Sequence, residues 1–140
     1  MSDHNNNLGR FFEDYAVGDI ITHATPRTLT EADASLYISM YPTRFALQSS
    51  AEFARNCGLK DRPLDDLIVF HTVFGKTVPD ISINAVANLG YAEGKFSNMV
   101  FSGETLSVKS EIIGLKQNSS GKTGIAVSYT HLRAHETIDD

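Results

Sequence analysis

The run Leu67-Ile-Val-Phe-His-Thr-Val-Phe-Gly-Lys-Thr-Val78 constrains this chain more than any other stretch. Pro63-Leu64-Asp65-Asp66 ahead of it reads as a helix start, and Pro79 behind it as a stop. Between them lie roughly three helical turns, with apolar residues nearly all round rather than on one stripe. A helix of that kind has no face for water and is expected to be buried on most sides. A sheet that wraps one such helix accounts for the missing polar face.

The flanking sequence supplies a sheet. After residue 82 three strands are expected: Ala85–Phe96, Glu104–Leu115 and Gly121–Tyr129. Val86, Leu89, Val108, Ile112, Ile113, Ile125 and Val127 are their apolar sites. Ser102-Gly103-Glu104 and Asn118-Ser119-Ser120-Gly121 are the turns. Ahead of the helix, Ile20–Ala24 reads as a strand after a turn at Gly18-Asp19. Thr30 is a helix N-cap with Asp33 as its supporting acid, and Ala34, Leu36, Tyr37 and Met40 fall near one face. Pro42 stops that helix. Ser49 or Ser50 caps a second helix through Cys57, which Gly58 ends. One strand, short helices, one very apolar helix and an antiparallel meander make an α+β architecture. The hotdog fold, an antiparallel sheet wrapped around one long buried helix, has this element order.

Residues 1–10 are polar and Asn-rich, and are expected to be disordered or loosely docked. The hotdog domain is expected over residues 11–129. The polar stretch 130–140 does not fit the preceding strand and reads as a non-native tail, with the native chain cut near residue 127. There His131 and His135 would share a helix face and, with Glu136, imitate a metal site. The order is not the His-Glu-x-x-His of zinc proteases, so no metal is expected.

The net charge is −5 and no basic block occurs, which argues against a nucleic-acid partner. A few local Lys or Arg side chains can still hold an anionic substrate. No apolar run approaches the roughly 18 residues of a membrane helix, and the N-terminus lacks the apolar core of a signal peptide. A cytoplasmic location and no membrane partner are expected. The single cysteine, Cys57, forbids an internal disulfide and reads as a small buried hydrophobe.

The chemistry centres on Tyr41-Pro-Thr-Arg-Phe-Ala-Leu-Gln48. This loop resembles the active-site loop of the MaoC-like (hydratase-2 type) dehydratase family. Those enzymes carry an Asp, then Asn-Pro, then a His five positions after the Asp. Here Thr43 stands at the Asp, Phe45-Ala46 at the Asn-Pro and Gln48 at the His. Neither Thr nor Gln titrates near neutral pH, so the pair can hydrogen-bond a ligand but cannot shuttle protons. Longer runs match the mesaconyl-CoA hydratase branch of that family, also called 2-methylfumaryl-CoA hydratase or β-methylmalyl-CoA dehydratase. They are Thr25-Pro-Arg-Thr-Leu-Thr-Glu-Ala-Asp33, Arg44-Phe-Ala-Leu-Gln-Ser-Ser50, Pro63-Leu-Asp-Asp-Leu67, Val69–Asp80 and Asn84–Tyr91. The resemblance implies one of two hotdog halves, with the catalytic His in the other. It implies an acyl-CoA thioester as substrate, coenzyme A being part of it, and no separate cofactor. A second hotdog half or a homodimer partner is implied as well.

Each candidate has a structural alternative. Gln48 either caps the helix near Ser50 or contacts ligand. Arg44 either pairs with Asp33 or Glu52, or holds a free carboxylate on the substrate. Asp65 and Asp66 either stabilise the helix N-terminus or line the thioester site. His71 reads as a satisfied core histidine. Lys95 and Lys109 are solvated lysines or contacts for CoA phosphates. Three functions compete: half of an acyl-CoA hydro-lyase, a hotdog thioesterase in which Asp65 or Asp66 activates water, and an acyl-CoA binding module without turnover.

Overall fold

Helix ends leave backbone N–H and C=O groups without partners, and the side chains that satisfy them fix where each helix begins. A computed structural model of the chain describes residues 9–24, 26–42 and 45–135. Thr30 caps α1 (Glu31–Met40): the Asp33 N–H donates to its Oγ1 at 3.4 Å, and the Thr30 N–H donates to the Asp33 carboxylate at 2.9 Å. One turn, α2 (Ala46–Ser49), leads into α3 (Ala51–Asn56). Ser50 caps α3 by accepting from the Phe53 N–H at 3.1 Å, and Gly58 leaves it with φ +89°. Asp65 caps α4 (Asp66–Thr77), accepting from the Leu67 N–H at 2.8 Å. α4 stops at Thr77, just before Pro79 as expected, and a π-helical turn, Val78–Ser82, with Pro79 in its first positions, follows it.

The strands are β1 (Ile20–Thr22), β2 (Arg27–Thr28), β3 (Thr105–Gln117) and β4 (Gly124–His135). β3 is central: β1 and β2 follow one another along one edge, and β4 lies along the other, all antiparallel. Along β3 the side chains alternate, and Leu106, Val108, Ser110 and Ile112 point to the buried face. The alternation runs on to Ile113, outward and 52% exposed, and is lost at Gly114, where a bulge shifts the register. Leu29, Ala34, Leu64, Val69, Val100 and Leu106 form the core, with Ile68 and Leu132 packed against it. The core thus lies between β3 and the near faces of α1 and α4.

Several expectations change. Residues 85–96 form no strand, and Val86 and Leu89 are almost bare. Tyr91 is held instead by its ring, edge-on to Phe70 and Phe74 of α4 at 5.5 and 5.7 Å. The apolar spacing there serves side-chain contacts rather than a ladder. α4 is covered on one face only: Val69 and Thr77 are buried, while Leu67 and His71 are exposed. His71 is therefore not a core histidine. The described sheet is three strands across. Of α1 only Ala34 is buried, and Leu36 and Met40 face outward. Cys57 is exposed at the end of α3, where Ala54 takes the inward position. The expected domain end at residue 129 falls inside β4, which pairs on to Thr105↔His135. Arg10 is docked, donating to the Asp80 carbonyl at 2.8 Å. Residues 1–8 and 136–140 lie outside the described residues. Among the described residues no helix is long and apolar enough to cross a membrane.

Candidate functional site

Pro42 halts α1 beside the start of α4, and the two ends leave a groove between them. Tyr37, Met40, Tyr41 and Pro42 line one side and Asp65 and Leu67 the other, around a volume of about 360 Å³. Tyr37 and Tyr41 are one turn apart, with ring centroids at 5.1 Å. The lining is largely apolar, with phenols and one carboxylate as polar points. Burial pushes the Tyr37 phenol above its ordinary value, and the Asp65 carboxylate and Tyr41 add to this. Burial also raises the Asp66 carboxyl, and the neighbouring charge of Asp65 pushes the same way.

The expected site residues separate. Asp65 caps α4 and also lines the groove. Asp66 is the first residue of α4 and does not line the groove. Thr43 and Arg44, which follow Pro42, lie outside the described residues. Gln48 sits in α2, where the capping role belongs to Ser50, and the Gln48 carbonyl accepts from Arg62 Nη1 at 3.2 Å. Asp33, weighed as a partner for Arg44, is paired with Arg27 at 2.5 Å. Lys95 is exposed in the irregular stretch after α4, and Lys109 faces outward on β3; neither lines the groove. His131 and His135 lie on a strand, not a helix. Four residues of strand separate them by about 13 Å, too far to share an ion. Glu136 is outside the described residues. Among those residues, no three His, Cys, Asp or Glu side chains are placed to hold a metal.

One buried constellation has no local signature in the sequence. His23 Nδ1 meets Asp80 Oδ2 at 2.8 Å, and His23 Nε2 meets Ser110 Oγ at 2.8 Å. Ser110 Oγ in turn meets Thr130 Oγ1 at 2.7 Å. The His23 side chain is fully buried. In the tautomer with Nδ1–H donating to the carboxylate, Nε2 accepts from Ser110, which accepts from Thr130, so each of these polar atoms has a partner. The order imitates a nucleophilic triad. Ser110 is only 1% exposed, however, and the residues span β1's end, the turn after α4, β3 and β4. The group ties the end of α4 to the sheet. Tyr15 helps, donating its hydroxyl to the Ile81 carbonyl at 2.7 Å.

Comparison with known proteins adds what geometry alone does not. The sequence model of the mesaconyl-CoA hydratase family matches residues 3–140. A β-methylmalyl-CoA dehydratase of Chloroflexus aurantiacus is 59% identical over 125 residues, which make up 89% of this chain and 35% of that protein. A crystal structure of a MaoC domain protein from Chloroflexus aurantiacus, described as a dehydratase, superposes with a TM-score of 0.89 at 55% identity. It covers 93% of this chain and 37% of that one. A Mycobacterium tuberculosis protein with a double hotdog fold superposes with a TM-score of 0.80 at 23% identity, over 90% of this chain and 39% of its own, a likeness of fold alone. The chain spans about a third of the length of the curated relatives it matches.

Proposed function

Because this chain belongs to the mesaconyl-CoA hydratase family and has the MaoC-like hotdog fold, we propose that it is one hotdog half of a hydro-lyase. That enzyme would reversibly add water to mesaconyl-CoA (2-methylfumaryl-CoA) to give β-methylmalyl-CoA. This half forms a wall of the acyl-CoA pocket, and the acid–base pair comes from the rest of the protein.

The reaction needs a base to take a proton from water as the hydroxyl adds to the carbon beside the free carboxylate. The displaced electron pair moves to the thioester oxygen as an enolate, and the methyl-bearing carbon then takes a proton. Thr43 and Gln48, at the loop positions where this chemistry is done in hydratase-2 enzymes, cannot exchange protons near neutral pH. They can orient water or the thioester by hydrogen bonding. The observation that carries the reading is the groove where Pro42 meets the start of α4. Its tyrosine, Met40 and Leu67 lining suits a short branched acyl chain. Arg44, two residues beyond Pro42, supplies the cation for the second carboxylate of a dicarboxylic acyl group.

Calorimetric titration tests this. Mesaconyl-CoA should bind about tenfold more tightly than an enoyl-CoA of the same carbon skeleton without the free carboxylate, and Arg44→Gln should remove the difference. Equal affinities in the unaltered chain would contradict the reading.

A CoA-ester substrate fits a cytoplasmic site of action. Leu67, Leu89, Tyr91, Phe96 and Met99 are each about half or more exposed along α4 and the stretch after it. Apolar surface of that extent fits pairing with a second hotdog half or a second copy. Sedimentation of the chain alone should show dimers; a strictly monomeric chain would count against this pairing.

A further inference from the structure

Arg62 stands where four parts of the chain converge. Its side chain is only 15% exposed. Nη1 donates to the Gln48 carbonyl at 3.2 Å, at the end of the Tyr41–Gln48 loop. Nη2 donates to the Glu31 carboxylate in the first turn of α1 and to Ser35 Oγ, one turn on, at 3.3 Å. The other Glu31 oxygen accepts from Ser102 Oγ at 3.0 Å, which brings in the turn before β3. The hydrogen bond from Arg62 holds the Glu31 carboxyl below its ordinary value, against a smaller opposing effect of burial. The backbone beneath Arg62 is itself fixed. Pro63 and Leu64 are buried, and the Leu64 N–H donates to the Val100 carbonyl at 2.8 Å. The guanidinium is therefore presented from the core, unlike a surface arginine free to choose among rotamers.

From this we infer that Arg62 is a positioning residue of the site: it sets the end of the loop segment that carries Gln48 by gripping the Gln48 carbonyl and bracing it on α1. It does not line the groove, so it acts through the loop and not on the ligand. The planar fork matters. One guanidinium can hold the Gln48 carbonyl with one nitrogen while the other bridges Glu31 and Ser35. A lysine ammonium keeps the charge but cannot span the same acceptors. The role of the loop in ligand binding rests on the function proposed above; the grip on the loop does not.

The two are separated by measuring both on the 140-residue chain. Hydrogen exchange read at the amides of Gln48, Ser49 and Ser50 should speed up about tenfold in both Arg62→Gln and Arg62→Lys, with the β3–β4 hairpin unchanged. Glu31→Gln, which keeps the hydrogen bonds but removes the charge, should give a smaller rise in the same amides. It also serves as the folded variant if Arg62→Gln loses protection throughout. Mesaconyl-CoA binding, followed in parallel, should weaken about tenfold in Arg62→Lys. Faster loop exchange in a chain that binds no mesaconyl-CoA would uphold the positioning role and defeat the functional reading. Unchanged exchange at these amides in folded Arg62→Lys and Glu31→Gln would overturn the inference.

Discussion

Replacing His23 by Ala should cost this chain about 3 kcal/mol of stability, more than any surface change. The imidazole makes two hydrogen bonds at 2.8 Å from a fully buried position. The bond to the Asp80 carboxylate is charge-assisted, worth about 1.5–3 kcal/mol, and the one to Ser110 about 1 kcal/mol. The Asp80 side chain is 35% exposed, so water takes up part of what it loses. The emptied ring volume adds a packing cost of similar size to that gain. With a urea m-value of about 1.5–2 kcal/mol/M for a domain of this size, the unfolding midpoint should fall by roughly 2 M. Ser110→Ala should cost about 1–3 kcal/mol, because it leaves His23 Nε2 buried without a partner. The double variant should be less destabilised than the sum of the two by about 1 kcal/mol, since both remove the same bond. A midpoint shift below about 0.5 M for His23→Ala, or strict additivity in the double variant, would refute the view that this group holds α4 to the sheet.

Other perturbations probe separate links. Asp65→Ala removes the α4 cap and should cost about 1 kcal/mol in urea unfolding, while leaving acyl-CoA hydrolysis at background; a hydrolytic activity abolished by Asp65→Asn would instead support the thioesterase alternative. Gly124→Ala sets a methyl group against the Phe12 ring, which closes on this glycine. It should cost about 1–3 kcal/mol, with near-ultraviolet circular dichroism reporting the displaced aromatic ring. Acid should weaken the fold through Glu31 and Asp33. Glu31 is lowered from 4.5 chiefly by Arg62. Asp33 is lowered from 3.8 although burial opposes it, because the Thr30 amide and hydroxyl and Arg27 together outweigh burial. Both carboxylates therefore stabilise the fold above these ordinary values, and that support is lost as pH falls through the lower folded ones. Denaturation followed from pH 6 to pH 2 should show the loss below about pH 4, and Glu31→Gln with Asp33→Asn should flatten it.

Much of the local structure was legible because it is written in neighbours. Thr30 with Asp33, Ser50 with Phe53, and Asp65 with Leu67 are caps whose partners lie two or three residues away. Gly18 and Gly58 mark their turns by positive φ. What was not legible is long-range. His23 finds Asp80 across 57 residues and Ser110 across 87, and Arg62 reaches Glu31 across 31; no window on the sequence holds both ends. The stretch after α4 misled because Tyr91 packs on Phe70 and Phe74 without joining a ladder. The uniformly apolar α4 led to an expectation of burial all round, but the described sheet covers one side, and Leu67 and His71 are exposed. At the candidate site, the sequence points to Asp65 and puts Tyr37 and Met40 on one helix face, while Arg62, which does not line the groove, carries no local signature.

On the function proposed above, this chain shapes an acyl-CoA pocket and the proton transfers come from the rest of the protein. The most direct measurement is the rate of mesaconyl-CoA hydration by the 140-residue chain alone and by the same chain joined to the rest of a protein as long as its relatives. The chain alone should bind mesaconyl-CoA and leave it unchanged, while the joined protein converts it to β-methylmalyl-CoA. Hydration by the chain alone, or none by the joined protein, would contradict the account.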